Sequence, residues 1–435
     1  MADVRPFRGL RYGPEAGSLA HTIAPPYDVI SPEQQRALYQ RSPHNVVRIE
    51  YGEERPGDND GDNRYTRAAS DLARWRSDGV LVRDERPAFY VYRQAFDSDG
   101  PRVRHTCFVA LRLEEWEKGV VKPHEQTFPH HKQDRLALLR ATGTQASPVY
   151  SIARDRGDAP YDWPDPDEWL YDFEADGQRH KLGALFDPVK QATLVAQLSE
   201  SDVYIADGHH RYETALAYRD EVRAKAPQWS GDEPENFVMM GLTDVADPGL
   251  VVLPTHRIVD PPAFPPDALE RISRAFAVDD VTPKSWDGTG LLRLLARLEA
   301  AKRGAAAFAT IGLEQNRLHL LTLTGRAAIE AMMPPDQPQA WKRLDVNILQ
   351  YGVLQPVFGI DDAVLARGRT VTYTQDAREA HAAVESGRAR LAFLLNATPV
   401  EQVLAVADAG ARMPQKSTYF YPKLPTGLVM YPFED

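Results

Sequence analysis

Val203-Tyr204-Ile205-Ala206-Asp207-Gly208-His209-His210-Arg211-Tyr212-Glu213-Thr214-Ala215 carries an apolar run directly into Asp-Gly and, within two residues, into a helix-forming stretch. Val203–Ala206 reads as a strand, and the stretch from His210 to Ala224 reads as a helix. Such a junction aims the free N–H groups of the first helical turn at one place, where hydrogen bonds and the helix dipole stabilise an anion. Gly208 lacks the Cβ that would keep a phosphate from the backbone. Arg211 supplies a guanidinium that grips phosphate in a bidentate way. Asp207, at the strand's end, can hold Mg²⁺ or accept a proton from a hydroxyl. His209 and His210 add two candidate catalytic groups to the same turn, beside Asp207. The bland alternative is a capped helix start with Asp207 near the cap and Arg211 on a solvated face. Zinc is disfavoured, because adjacent histidines point in different directions on a helix and ligand pairs sit three or four residues apart.

Outward from this junction the chain alternates helices and strands. Ser31-Pro32-Glu33 looks like a helix cap with proline at the first position, opening a short helix to about Tyr39. Val46–Tyr51 reads as a strand and Tyr65–Ser77 as a helix ended by Asp78-Gly79. Ala88–Ala95 and Val103–Leu113 read as strands joined by the turn Asp97-Ser98-Asp99-Gly100. Lys132–Ala141 is expected to be helical and Val149–Ile152 extended, and Arg154–Arg179 is expected to be irregular or an edge hairpin. Val189–Leu198 follows as a helix, and Phe237–Leu242 with Leu250–Pro254 as a strand pair. Pro262, Pro265 and Pro266 suggest a linker, so residues 1–260 and 261–435 are expected to form an N-terminal region and a C-terminal α+β region. Leu291–Lys302 and Ala377–Ser386 read there as helices, Gly304–Gly312 and Arg390–Leu395 as strands. The pattern predicts an α/β, mixed α+β, architecture.

Composition narrows the function classes. The chain has 435 residues, 43% of them hydrophobic, which is ample for a packed core. With Lys+Arg 51 against Asp+Glu 62 and no long basic run, nucleic acid is not an expected partner. The N-terminal residues lack the apolar stretch of a secretory signal, and no apolar run approaches the roughly 20 residues that span a bilayer. A soluble cytoplasmic protein acting on a small molecule is the expectation, with no membrane partner and with room for a homodimer. The single cysteine, Cys107, lies in an apolar run and reads as a small core residue.

Three further clusters carry polar chemistry. His124-Glu125-Gln126-Thr127 and Lys132-Gln133-Asp134-Arg135 place acid, base and cations within a dozen residues. In a phosphoryl-transfer site Glu125 would be the base, Lys132 and Arg135 phosphate contacts, and His124 and Asp134 their support. The alternative is a solvated turn leading into an amphipathic helix. Met413–Leu424 contains Lys416, Ser417, Thr418 and Lys423, donors for a phosphate, without the glycine-rich lead of a P-loop. Its alternative is a structural arm packed by Tyr419, Phe420 and Tyr421. Arg257, in Pro254-Thr255-His256-Arg257, and Tyr27 and Asp28, after Pro25-Pro26, are candidate substrate contacts.

The Asp207–Arg211 segment resembles the Asp-Gly-His-His-Arg motif of archaeal free-serine kinases and of the ParB/sulfiredoxin-like superfamily. Together with Ala24–Ile30, Glu125–Leu136, Ser147-Pro148-Val149, Pro254–Arg257 and Met413–Gly427, it makes the chain similar to the family named domain of unknown function 1015. The resemblance implies a ParB/sulfiredoxin-like core and a junction that binds nucleotide phosphates. It also implies phosphorylation of free L-serine or a similar metabolite, with ATP, ADP or pyrophosphate as donor and Mg²⁺ as cofactor. The alternative implied function is a ParB-like nucleotide-binding regulatory protein without metabolite kinase activity.

Overall fold

A computed structural model describes residues 1–127, 129–157, 160, 161, 163–282, 288–302, 305–315, 317–368 and 370–434. The chain divides into two compact units. The first comprises residues 1–123, 127–251 and 422–435, and the second residues 124–126 and 252–421. The division therefore falls at residue 252 and not at 260. Pro254–Arg257 belong to the second unit because His256–Val259 is a central strand of its sheet, and the last 14 residues return to the first unit.

The first unit is built on a nine-stranded sheet. Its strands run in the order Val121–Lys122, Ser201–Asp207, Val149–Asp155, Phe237–Asp244, Pro101–Arg112, Phe89–Asp97, Gln178–Leu185 and Glu168–Ala175, with Val4–Arg5 pairing beside the end of Pro101–Arg112. Parallel and antiparallel pairs mix: Phe237–Asp244 runs parallel to Val149–Asp155 and antiparallel to Pro101–Arg112. Strand alternation sorts the two faces. Cys107, Val109 and Leu111 join Val149, Val203, Ile205, Met240 and Leu242 in one apolar layer, which the helices Pro188–Ser199 and His209–Lys225 cover through Leu194, Leu198, Tyr212 and Leu216. Arg104, Thr106 and Phe108 lie on the opposite face. The hairpin at 97–101 forms as expected, with Asp99 and Gly100 in left-handed conformations. Cys107 is fully buried and burial pushes its thiol up, which fits a core residue.

One expected strand is a helix. Val47–Glu50 forms a helical turn, started by the Asn45 side chain, whose Oδ1 accepts the Val47 N–H at 3.0 Å while its amide donates to the His21 and Ile23 carbonyls. A short run of β-branched residues carries little helical signal of its own, and the Asn45 side-chain bonds tip it toward the helical turn. Val46, Val47 and Ile49 then pack with Leu72 and Trp75 of the helix Arg64–Ser77. The expected helix from Ser31 spans Pro32–Arg41 with a complete Ser31/Gln34 capping box. Phe237–Asp244 and Val251–Leu253 are both strands, but they do not pair with each other.

The second unit holds a six-stranded antiparallel sheet in the order Phe276–Asp280, Leu318–Leu323, Ala307–Ile311, Leu391–Leu394, His256–Val259 and Val371–Thr374. Helices Gly288–Ala301 and Ala377–Glu385 close one face through Leu294, Leu298, Ala377, Ala380 and Ala383. The strand expected at 304–312 spans Ala307–Ile311, and Gly304 lies outside the described residues. Both units are thus mixed α/β. No described helix is long and apolar enough to cross a membrane.

Candidate functional site

The strand Ser201–Asp207 shifts register between Ile205 and Asp207 against its neighbour, which sets Asp207 opposite Tyr150. Gly208 follows at φ +95°, a left-handed conformation, and the 17-residue helix His209–Lys225 starts at once. A Cβ at Gly208 would stand 2.9 Å from the Arg211 guanidinium, so the glycine serves both the turn and the close approach of that cation. The helix starts on Gly208, which has no side chain to cap it, and Asp207 precedes it by one residue. The N–H groups of the first turn have no partner within the helix and point outward from its end.

Two cations meet the Asp207 carboxylate. Lys423 Nζ stands 3.1 Å from its Oδ2, and Arg211 Nη2 stands 3.8 Å from the same oxygen. Arg211 also donates to the Pro148 carbonyl. The three side chains keep only 10–15% of their surface exposed. Burial alone would push the Asp207 carboxyl up, but Lys423 and Arg211 outweigh it and hold the acid well below the ordinary range. Two positive groups against one negative leave a surplus of positive charge at a helix N-terminus. His209 is buried beside them and His210 is half-buried.

Lys423 reaches Asp207 because the sheet leaves room for its segment. A Cβ on Gly241 would stand 2.8 Å from Leu424 Cδ1. The Lys423 carbonyl accepts from Gln94 Nε2 at 3.4 Å, and Gln94 Oε1 accepts from Arg104 Nη2 at 2.5 Å. Arg104 is fully buried with its guanidinium 4.7 Å from the centre of the Tyr150 ring, and its Nε and Nη1 lack partners among the described residues. Sequence reading missed Arg104 and Gln94. The signal for Arg104 is parity: it shares a strand face with Thr106 and Phe108, which makes it an inward-facing charge.

Next to the turn lies a cavity of about 50 Å³, lined on its polar side by Glu50, Arg135, Ser147, Arg211 and Thr214 and on its apolar side by Leu138, Leu139, Val149 and Val238. Arg135 is buried, 3.4 Å from the Glu50 carboxylate and 2.6 Å from Asp134, and it stacks over the Tyr27 ring at 4.1 Å. Burial opposes its charge, but Glu50 and Asp134 prevail and raise its pKa. Ser147 Oγ donates to Glu50 Oε1 at 2.8 Å. Arg211 Nε and Thr214 Oγ1 are buried without partners among the described residues. Glu50 and Thr214 went unnoticed in the sequence, Glu50 because its segment reads as a strand.

The remaining expected residues sort as follows. Lys132 pairs with Glu213, on the helix that follows Gly208, at 2.8 Å and is 39% exposed. Asp134 supports Arg135 and also binds Arg64 at 2.5 Å. Tyr27 is buried, burial pushing its phenol up, and Asp28 is exposed on the same short turn. Glu125, Lys416, Ser417, Thr418 and Arg257 belong to the second unit. There Glu125 bridges to Met413, and His124 Nε2 meets Thr418 Oγ1 at 3.1 Å. Ser417 Oγ donates to the Pro414 carbonyl at 2.5 Å, and the Ser417 carbonyl accepts from Thr398 at 3.1 Å. The Ser417 and Thr418 hydroxyls thus brace their own loop. The expected Met413–Leu424 cluster is therefore divided, Lys423 going to the first unit.

A magnesium cage is not built here. Among the described residues no group of three His, Cys, Asp or Glu side chains stands together, and the one acid of the turn already faces two cations. A divalent ion at this turn would arrive on the phosphates of a donor.

A family model described as "Protein of unknown function (DUF1015)" matches residues 4–347. No curated protein matches the chain. Among solved structures the chain is similar to a conserved hypothetical protein from Pyrococcus furiosus, at 15% identity and TM-score 0.34 over 74% of this chain and 93% of that one. It is similar to a free serine kinase in complex with AMP, at 14% identity and TM-score 0.35 over 74% of this chain and 92% of that one. It is also similar to SbnI with a C-terminal truncation from Staphylococcus aureus, at 8% identity and TM-score 0.34 over 74% and 85%. Likeness at this level carries no conclusion about activity.

Proposed function

This chain belongs to the DUF1015 family of proteins of unknown function, and from that premise we propose that its first unit is a small-molecule phosphotransferase. A phosphate donor, ATP, ADP or pyrophosphate, lies on the Asp207–Arg211 turn, and a small hydroxyl-bearing metabolite accepts the terminal phosphoryl group. Free L-serine, the acceptor implied by the resemblance of the Asp-Gly-His-His-Arg segment, is the first to test. The observation that carries this reading is the pair of cations, Lys423 and Arg211, gathered on one carboxylate at the N-terminus of a helix that starts on Gly208.

Transfer breaks the bond between the donor's terminal phosphorus and its bridging oxygen while a bond forms from the acceptor oxygen. Charge building on the leaving phosphate is met by Lys423, Arg211 and the first-turn N–H groups. The acceptor's proton passes to a carboxylate. Asp207, held strongly ionised by two cations, is a weak proton acceptor and instead positions Lys423 and Arg211. Glu50 is the better base on geometry, since it lines the cavity with Ser147, Thr214 and Arg211. The cavity admits a few non-hydrogen atoms, a size that suits a hydroxymethyl group and not a nucleotide.

The test is a screen of ATP, ADP and pyrophosphate against L-serine and other small alcohols with Mg²⁺, read by ³¹P NMR. A phosphomonoester product that disappears in Asp207→Asn supports the reading. No product with any pair, alongside tight nucleotide binding, would replace it by the regulatory alternative.

A further inference from the structure

Among the described residues, no carboxylate pairs with one guanidinium buried in the second unit. Arg257, on the strand His256–Val259, is 6% exposed. Its Nη1 donates to the Thr255 carbonyl and its Nη2 to the Lys416 carbonyl at 3.4 Å, and its plane lies over the Tyr373 ring at 5.4 Å. Among the described residues it forms no ion pair. Asp376 acts on the neighbouring His256 and Glu125 acts on Tyr373, and neither relieves Arg257. Burial draws its pKa down to about 10, with Tyr373 offsetting part of the fall, so the group stays charged at neutral pH. His256 adds no counter-charge: burial and then Arg257 lower it to about 4, and its Nδ1 accepts the Leu395 N–H at 3.1 Å.

An uncompensated charge in this position is costly, and an apolar side chain would pack without that cost. The adjoining loop adds a second positive charge. The loop bonded to Arg257 carries exposed Lys416, held at φ +56°, for which no ion pair forms among the described residues. His124, Thr398 and Pro414 clamp that loop through Thr418 and Ser417. Thr255 Oγ1 is buried beside Arg257 with no partner among the described residues. A guanidinium has five N–H donors, of which two meet carbonyls here.

We propose that Arg257 and the Lys416-Ser417-Thr418 loop form an oxyanion-binding site in the second unit, for the phosphoryl or carboxylate group of a small metabolite. Arg257 supplies directed N–H donors, Thr255 a hydroxyl and Lys416 an unscreened charge, while Ser417 and Thr418 hold the loop in shape. The site uses none of the residues of the Asp207 turn and stands whether or not that turn transfers phosphate.

The test uses the full chain carrying Arg211→Met, which removes one of the two cations from the turn of the first unit. Inorganic phosphate, pyrophosphate and acetate are titrated by calorimetry and by thermal shift. In this background one anion is expected to bind and raise Tm. Adding Arg257→Met should abolish that response, and adding Lys416→Ala should weaken affinity by about tenfold through loss of one charge-assisted contact. A phosphate or pyrophosphate response assigns the site to phosphoryl groups, and a response to acetate alone assigns it to carboxylates. In anion-free buffer Arg257→Met should leave Tm unchanged or raised, whereas a merely structural arginine would lower Tm and leave the anion response intact. No response to any anion, or a response indifferent to Arg257→Met, overturns the proposal. Should Arg257→Met fail to fold, exposed Lys416 decides, and unchanged affinity in Lys416→Ala overturns it.

Discussion

Lys423 Nζ stands 3.1 Å from Asp207 Oδ2, across 216 residues of chain. The C-terminal segment thereby supplies a cation to a turn that already has Arg211, and the turn has more positive than negative charge only because of it. Lys423→Met should remove the surplus. Donor affinity is expected to fall about tenfold or more, and stability by about 1–3 kcal/mol, since a mostly buried carboxylate loses its nearest counter-charge. Calorimetry with ADP and urea melts measure the two effects. Unchanged ADP affinity would remove Lys423 from the site.

Gly208→Ala tests the turn itself. Alanine at φ +95° is strained, and its Cβ meets Arg211 at 2.9 Å. The variant should lose about 1–2 kcal/mol of stability from backbone strain and bind phosphate donors more weakly. A variant with full affinity would show that the backbone approach is not used.

Glu50→Gln separates the two carboxylates considered for the base. It keeps the shape of the cavity wall while removing the proton acceptor, so kcat should fall by about 100-fold or more with KM little changed. Glu125→Gln is the comparison, and a larger kcat loss there would return the role to Glu125. Ser147→Ala, which removes the hydroxyl donated to Glu50, should give a smaller loss in kcat.

Asp345 provides a pH signature in the second unit. Burial raises its carboxyl to about 6, with Lys302 and Arg326 working against the rise. A folded pKa above the unfolded value means the folded state binds the proton more tightly. The stability this contributes is complete below the unfolded value of about 4 and is lost as pH rises through 6. Asp345→Asn should therefore be more stable than the parent at pH 7.5, by about 2 kcal/mol, and the gap should close toward pH 4. Urea midpoints at both values check it, and a gap independent of pH would contradict the raised Asp345 carboxyl.

Much of this was legible in local sequence. The Val203–Ala215 junction announces a strand, a glycine turn and a helix because its signals are all short-range: an apolar run, a residue tolerant of left-handed φ, and helix formers. The hairpin at 97–101 and the helices over 32–41 and 64–77 follow for the same reason, as turn and capping chemistry span only a few residues. Val46–Tyr51 defeated that reasoning, because the helical turn Val47–Glu50 is favoured by the Asn45 side chain, which accepts the Val47 N–H, and by the burial of Val47, Ile49 and Glu50.

The candidate site divides along the same line. Local sequence determined the mixed α/β class and the anion-ready turn of Asp207, Gly208 and Arg211. Tertiary structure alone decided which charges belong to that turn. It brought Lys423 to Asp207 with Leu424 packed on the bare Gly241, turned Glu50, Arg135 and Ser147 into one cavity wall, and buried Arg104 beside Tyr150. It also placed Glu125, Arg257 and Lys416 with a different unit, although a linear reading gathers them with the turn. Turn chemistry acts over a few residues and is written locally. Charge pairing and burial act through space, and only the folded chain fixes which residues they join.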